Sequence, residues 1–206
     1  MTGAPIPAEA RDHDLGDHDD RLTVAATDQR TLVQLLRRNA VVFQVVFAFL
    51  WSLRFMAVAD VPELPLVVAV SGALVVRAAF RATRGLSARR SFRTAEGKQF
   101  LRSVTVMTLV QIAASVVLPA IAGAVGADEW AIPIVAVTIG LFLIGFARFV
   151  DVRMVGAVGV TATIVALALP LLATGDALVA LTSANMIVAL MVCAMGCVRV
   201  AAASRR

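Results

Sequence analysis

Hydrophobic positions in this chain form long, nearly uninterrupted runs instead of the one-sided stripes of a soluble helix. About 20 helical residues cross about 30 Å of hydrocarbon while every backbone hydrogen bond stays inside the helix. The short alternating segments that a membrane β-barrel needs do not occur in the sequence. The pattern therefore predicts six membrane-spanning helices, at residues 39–59, 64–80, 101–125, 130–147, 154–173 and 177–198.

The composition points the same way. Of the 206 residues, 60% are hydrophobic and only 16% are charged. An average globular chain is roughly half apolar and about a quarter charged, so this chain has more apolar side chains than one core can hold. This balance excludes a disordered chain, a disulfide scaffold and an ordinary cytosolic enzyme. We expect an all-α integral membrane protein folded as a six-transmembrane-helix bundle.

The distribution of charge between the runs predicts the orientation. The connection at residues 81–100 is strongly basic, and Arg148 and Arg153 flank the junction between the fourth and fifth runs. Lys and Arg accumulate in short cytoplasmic loops, so these connections face the cytoplasm and both termini lie inside. The remaining connections contain no Lys or Arg but five acidic residues, Asp60, Glu63, Asp128, Glu129 and Asp176.

Two compositional features suggest the cellular setting. The chain has eighteen arginines and one lysine together with abundant Ala and Val, which is typical of GC-rich codons and favours a bacterial plasma membrane. Because the first 38 residues are polar, we expect no cleavable signal peptide, so the first helix serves as the insertion signal.

The polar ends flank the predicted bundle. Residues 1–27 read as a mobile acidic cytoplasmic tail and residues 200–206 as a basic cytoplasmic C-terminus. Residues 28–38 predict an amphipathic juxtamembrane helix at the headgroups, or a continuation of the first span into the cytoplasm. His13 and His18 lie among aspartates that could coordinate a metal ion, but a solvated acidic tail is favoured because almost no apolar residues fix the geometry, and we expect no metal site.

The long basic connection is a candidate contact surface for anionic lipid or for an acidic partner. The accumulation of positive charge in cytoplasmic loops explains it equally well without a partner. No basic patch is interleaved with aromatic residues, so we expect no nucleic-acid partner. The residues concerned are Arg81, Arg84, Arg89, Arg90, Arg93 and Lys98.

Four polar residues at membrane depth are the candidate functional positions: Gln44, Arg54, Gln111 and Asn185. Amides cannot stay unpaired in hydrocarbon, so the three amide side chains either join helices or line a hydrated solute path. Arg54 lies near the outward end of the first span. It can extend to the headgroups, pair with an outward acid, or contact a ligand.

Residue types that are absent from the predicted spans also bear on function. No predicted span contains Asp, Glu or His. Proton-coupled carriers relay protons through such groups, and hydrolases and metal enzymes need them as bases or ligands. We therefore expect no enzyme and no cofactor. The sequence favours a permease-like or channel-like protein that binds or moves a small solute without an intramembrane proton relay.

The alternative is a non-transporting structural or accessory subunit that docks a partner through its basic loop. Expected partners are membrane lipids, together with another copy of the chain or a membrane partner subunit. Cys193 and Cys197 continue a line of small side chains from Ala189, one turn apart on the last helix. We expect this line to let a neighbouring helix approach closely, and we expect no disulfide.

Overall fold

The computed structural model describes residues 9–86 and 95–204, and the side chains of residues 29–86 and 97–204. All regular structure in these ranges is helical. One 3-10 turn, Asp128–Trp130, precedes α4 and another, Leu169–Leu171, follows α5. The six helices are α1 (Glu9–Ala59), α2 (Leu64–Ala82), α3 (Ala95–Ala124), α4 (Ala131–Val150), α5 (Arg153–Ala168) and α6 (Gly175–Ala203).

These helices agree with the six predicted apolar segments, and each contains or lies in a described segment long and apolar enough to cross a membrane. Residues 28–38 and 39–59 belong to one continuous helix, which is the second of the two alternatives for the juxtamembrane segment. Residues 9–27 form the first part of the same helix, while residues 1–8 lie outside the described residues. The mobility of residues 1–27 stays a prediction.

Pro119 and Pro170 have different effects on α3 and α5. Pro119 lies inside α3, which continues to Ala124. Pro170 lies in the 3-10 turn that follows α5, so α5 ends at Ala168 instead of residue 173. Proline has no N–H for the helical hydrogen bond and its ring crowds the preceding turn, which favours this early end.

α6 is the central helix of the bundle and packs most extensively against α1. Ala189, Cys193 and Cys197 are all buried on α6, as expected for a line of small side chains at a helix contact. Both cysteines are free thiols. Small side chains let helix backbones approach closely, which increases dispersion contacts along the whole interface.

The remaining helices surround this pair unequally. α2 packs on α1 and α6, α5 packs on α6, and α4 packs on α5. α3 packs on α4 and on the 3-10 turn at Asp128–Trp130, with no comparable contact to another described helix. In the most apolar 18-residue stretch of α3 none of the residues is buried, whereas 44% are buried in that of α6.

α4 and α5 touch through their backbones at Gly140 and Gly159. A Cβ atom on Gly159 would lie 2.8 Å from the carbonyl oxygen of Gly140 and 2.9 Å from the backbone nitrogen of Ile144. Both distances are shorter than any real Cβ contact, so only glycine fits here without separating the helices. Thr163 Oγ1 donates a hydrogen bond of 2.8 Å to Gly159 O in the same interface.

Arg37 joins α1 to the carboxyl end of α4. Its Nε atom donates a 2.6 Å hydrogen bond to Val150 O, and Nη2 donates a 3.3 Å hydrogen bond to Asp151 O. The last carbonyls of a helix have no intrahelical partner and carry partial negative charge, so a buried guanidinium is a favourable cap. Nη2 also lies 3.5 Å from the Asp151 carboxylate, which is 86% exposed.

Asp151 holds the turn between α4 and α5 in the left-handed region, with φ 50° and ψ 51°. Asp tolerates this conformation better than most residues with a Cβ atom. The turn places the carbonyl of Asp151 within reach of Arg37. The Arg37 contact therefore connects the first helix to a hairpin more than a hundred residues later in the chain.

We expect Gly159→Ala to reduce stability, although Ala is the better helix former by about 1 kcal/mol. The added methyl group would push α4 and α5 apart, and overpacking of this kind costs about 1–3 kcal/mol. The measurement is thermal unfolding of detergent-purified protein followed by helical circular dichroism. Gly145→Ala is the matched control, because its new Cβ would meet only the sulfur of Met107 at 3.2 Å, on a flexible side chain. Equal midpoints for the two variants would contradict the backbone contact.

We expect Arg37→Ala to destabilise the protein by about 1–3 kcal/mol, because it leaves two helix-terminal carbonyls without their charged donor. Asp151→Asn should cost much less, since it keeps the backbone carbonyl and removes only an exposed ion pair. Chemical or thermal unfolding of both variants in the same detergent measures the difference. Equal losses for the two variants would show that the ion pair, and not the helix cap, is the important contact.

Candidate solute-binding groove

The one-sided attachment of α3 leaves a cleft between α1 and α3, here called the groove. α4 and one residue of α6 form its floor, and its volume is about 320 Å³. Apolar side chains dominate the wall, and no residue in it is ionisable. The groove is lined by Leu36, Asn39, Ala40, Phe43, Gln44, Phe47, Leu101, Val104, Thr108, Gln111, Ile112, Ile139, Phe142, Leu143, Phe146 and Leu190.

Gln44 is the polar residue that distinguishes this cleft from ordinary helix packing. It lies on α1, is only 5% exposed, and lines the groove. Neither its amide nitrogen nor its amide oxygen has a hydrogen-bond partner among the described residues. A buried amide without partners destabilises the folded protein by about 1–3 kcal/mol. Hydrogen bonds to a donor and an acceptor would remove this cost.

The other buried polar atoms without described partners are Arg38 Nε on α1 and the hydroxyls of Thr182 and Ser183 on α6. The two hydroxyls differ from Gln44 in an important way. A Ser or Thr hydroxyl can rotate to reach a carbonyl one turn back in its own helix. The amide of Gln44 has two donors and an acceptor on a longer side chain, and local helix carbonyls cannot satisfy them all. Gln44 is therefore the stronger indication of a bound group.

Gln111 lines the groove from α3 and is fixed by a chain of hydrogen bonds. Its Nε2 atom donates to Ser115 Oγ at 3.2 Å, and Ser115 Oγ lies 2.9 Å from Thr138 Oγ1 on α4. Thr138 Oγ1 in turn donates to Val135 O at 2.8 Å, so Ser115 must be the donor to Thr138. The chain joins α3 to α4 and leaves the amide oxygen of Gln111 available to a ligand.

The other two predicted polar positions lie elsewhere. Asn185 donates from Nδ2 to Ala162 O at 3.1 Å and so joins α6 to α5. Arg54 is exposed and lines a separate cleft of about 300 Å³ between α1 and α4. Within the described residues it makes no ion pair with Asp60, Glu63 or Asp128. Phe47 and Ile139 line both clefts, so the two adjoin.

The candidate loop contacts are only partly described. Arg81, Arg84 and Lys98 are exposed at the end of α2 and the start of α3. Arg89, Arg90 and Arg93 lie outside the described residues. The side chains of His13 and His18 are also outside them, and the part with described side chains contains no group of three or more His, Cys, Asp or Glu residues that could hold a metal ion.

Sequence reasoning missed the role of Arg37. The available signal was Asp151, a single carboxylate between Arg148 and Arg153 at an otherwise basic end. It also missed the groove, because no pattern in the sequence tells which helices are neighbours. The pairing of Ser115 with Thr138 depends on the same missing information.

The groove offers apolar contact together with the amides of Asn39, Gln44 and Gln111 and the hydroxyl of Thr108, and its lining contains no ionisable residue. Comparisons of the chain with protein-family models, with curated proteins and with solved structures found no match, so the functional conclusion depends on this geometry.

Proposed function

We propose that the chain is a six-span protein of a bacterial plasma membrane, with both termini in the cytoplasm. The exposed apolar side chains of the helices, most numerous on α3, support a lipid environment. One cavity is lined by Arg30 of α1, Phe100 of α3, Arg148 of α4 and Ser204 of α6. These ends share one side of the bundle, as an alternating topology with an arginine-rich cytoplasmic side requires.

Within that topology, the proposed function is permease-like or channel-like: the groove binds or moves a small solute without an intramembrane proton relay. The observation that carries the proposal is the unpartnered amide of Gln44 in the wall of the groove. A ligand that supplied the missing hydrogen bonds would remove an energetic cost that the empty protein bears. This gives binding a favourable contribution beyond apolar contact.

The chemistry of the groove restricts the solute. An ion would find no countercharge, so the solute is uncharged. The volume of about 320 Å³ lies at the small end of ligand sites and fits a compact molecule. Phe43, Phe142 and Phe146 favour a mostly apolar body, and Gln44 with Gln111 favours a carbonyl, amide or hydroxyl group on it.

A structural or accessory role is the second candidate, and specific contacts favour it. Asn185 joins α6 to α5, and Gln111 belongs to the chain that joins α3 to α4. These amides act as interhelical contacts in the way a non-transporting bundle would use them. The two candidates differ at Gln44: its amide has no described partner, whereas Asn185 and Gln111 have theirs, and a ligand would supply the missing hydrogen bonds.

The topology is tested with reporter fusions in bacteria. A fluorescent protein that folds only in the cytoplasm should fluoresce when fused after Arg206. Alkaline phosphatase, which requires the oxidising exterior, should be active when fused after Glu129 and inactive after Arg206. The opposite pattern would contradict the orientation predicted from arginine.

The binding proposal is tested with Gln44→Leu and octanamide, a small apolar chain that ends in a primary amide. In the absence of octanamide, the variant should unfold at a higher temperature than the wild type, because an unpaired buried amide has been removed at a gain of about 1–3 kcal/mol. Octanamide should raise the unfolding midpoint of the wild type, and the variant should bind it about tenfold more weakly.

Gln99→Leu is the matched control, since Gln99 lies on α3, is exposed and does not line the groove. This variant should respond to octanamide as the wild type does, and octane should not distinguish Gln44→Leu from the wild type. If Gln44→Leu lowers the unfolding midpoint and octanamide does not change the midpoint of the wild type, Gln44 stabilises the contact between helices. That result would favour the accessory role.

A further inference from the structure

A second cavity, here called the end cavity, lies at the arginine-rich end of the bundle. Its walls are the part of α1 that precedes the groove in sequence, the beginning of α3, and the carboxyl ends of α4 and α6. Its volume is about 660 Å³. Its polar wall includes Arg30, Gln34, Arg37, Arg148, Asp151 and Ser204. Arg81, Arg84 and Lys98, the described members of the set predicted from sequence to contact lipid, do not line it.

The end cavity carries positive charge that the described side chains do not neutralise. Of its three guanidinium groups, that of Arg37 is held by Val150 O and by Asp151. Arg30 and Arg148 are exposed and make no ion pair with any residue the structure describes. Two positive charges thus share one concave site with a single carboxylate already engaged by Arg37, which favours an anion.

One side of the same cavity is apolar. The rings of Phe100 and Phe149 meet edge to face with centroids 5.8 Å apart, and Val33 lies in the wall with them. Free inorganic phosphate gains nothing from such a surface, whereas a phospholipid has a glycerol backbone and acyl chains to place against it. Arginine pairs well with phosphate because its planar donors match two phosphate oxygens.

The position of the cavity also suits a lipid. Leu36 and Leu101, the neighbours in sequence of Arg37 and Phe100, line the apolar groove, so the end cavity adjoins the groove along both α1 and α3. On α1 the wall changes from charged to apolar within one residue. A phospholipid, with its charged head next to its apolar tail, spans the same change from charged to apolar surroundings at the boundary of a bilayer.

We propose that the end cavity binds the phosphate headgroup of an anionic phospholipid, with Arg30 and Arg148 as its phosphate ligands. The proposal rests on the proposed membrane location of the chain, but it does not depend on what the groove binds. Gln44→Leu should therefore leave lipid binding at the end cavity unchanged.

The test measures binding of short-chain phosphatidylglycerol to the detergent-purified chain from the rise in its unfolding midpoint. Short-chain phosphatidylcholine and inorganic phosphate serve as the comparison probes. Phosphatidylglycerol should stabilise the wild type, and each of Arg30→Gln and Arg148→Gln should weaken its binding about tenfold, because each removes a charge-assisted contact. The double variant should lose about a hundredfold.

Arg153→Gln and Arg199→Gln are the matched controls, because both arginines are exposed near the same end and neither lines the cavity. Their binding of phosphatidylglycerol should stay within about twofold of the wild type. Equal weakening in these controls would overturn the proposal in favour of unspecific attraction to a basic surface. Equal stabilisation by inorganic phosphate would overturn the assignment to a lipid, and equal stabilisation by phosphatidylcholine would overturn the requirement for net negative charge.

Discussion

The close packing of α6 on α1 is the contact on which the rest of the bundle depends. α6 buries small side chains, including Ala189 and Cys193, which allow close approach of neighbouring helices, and α2 and α5 also pack on α6. α4 reaches the pair mainly by way of α5, through the contact between Gly140 and Gly159. α3 packs on α4 and makes no comparable contact with the α1–α6 pair. The groove is the space that this arrangement leaves between α1 and α3.

Three amides of similar chemistry have three different environments in this bundle. Asn185 finds a carbonyl on the neighbouring helix, and Gln111 finds a hydroxyl on its own helix that connects onward to α4. Gln44 lines the groove, and no described residue supplies a hydrogen-bond partner to its buried amide. The groove beside Gln44 is thus a gap in the packing, and this gap would close if α3 lay against α1.

The sequence was sufficient to predict the six helices, because the length of an apolar run is a local property that tertiary contacts hardly change. It was not sufficient at the start of α1, where the polar residues 28–38 fit two structures equally well. The Arg37 cap and the pairing of Ser115 with Thr138 could not be predicted, since each joins residues far apart in the chain. Gln44, Gln111 and Asn185 were identified as polar positions, but only the arrangement of helices distinguishes the unpaired amide from the paired ones.

The single-sided attachment of α3 has a mechanical consequence. Local opening of a structure is concentrated in the parts that bury the least surface, and here that part is a whole helix with one neighbour. Tilting α3 about its contact with α4 would widen the groove while the α1–α6 pair and the Arg37 cap stay intact. Access to Gln44 and the stability of the fold would then be governed by different contacts.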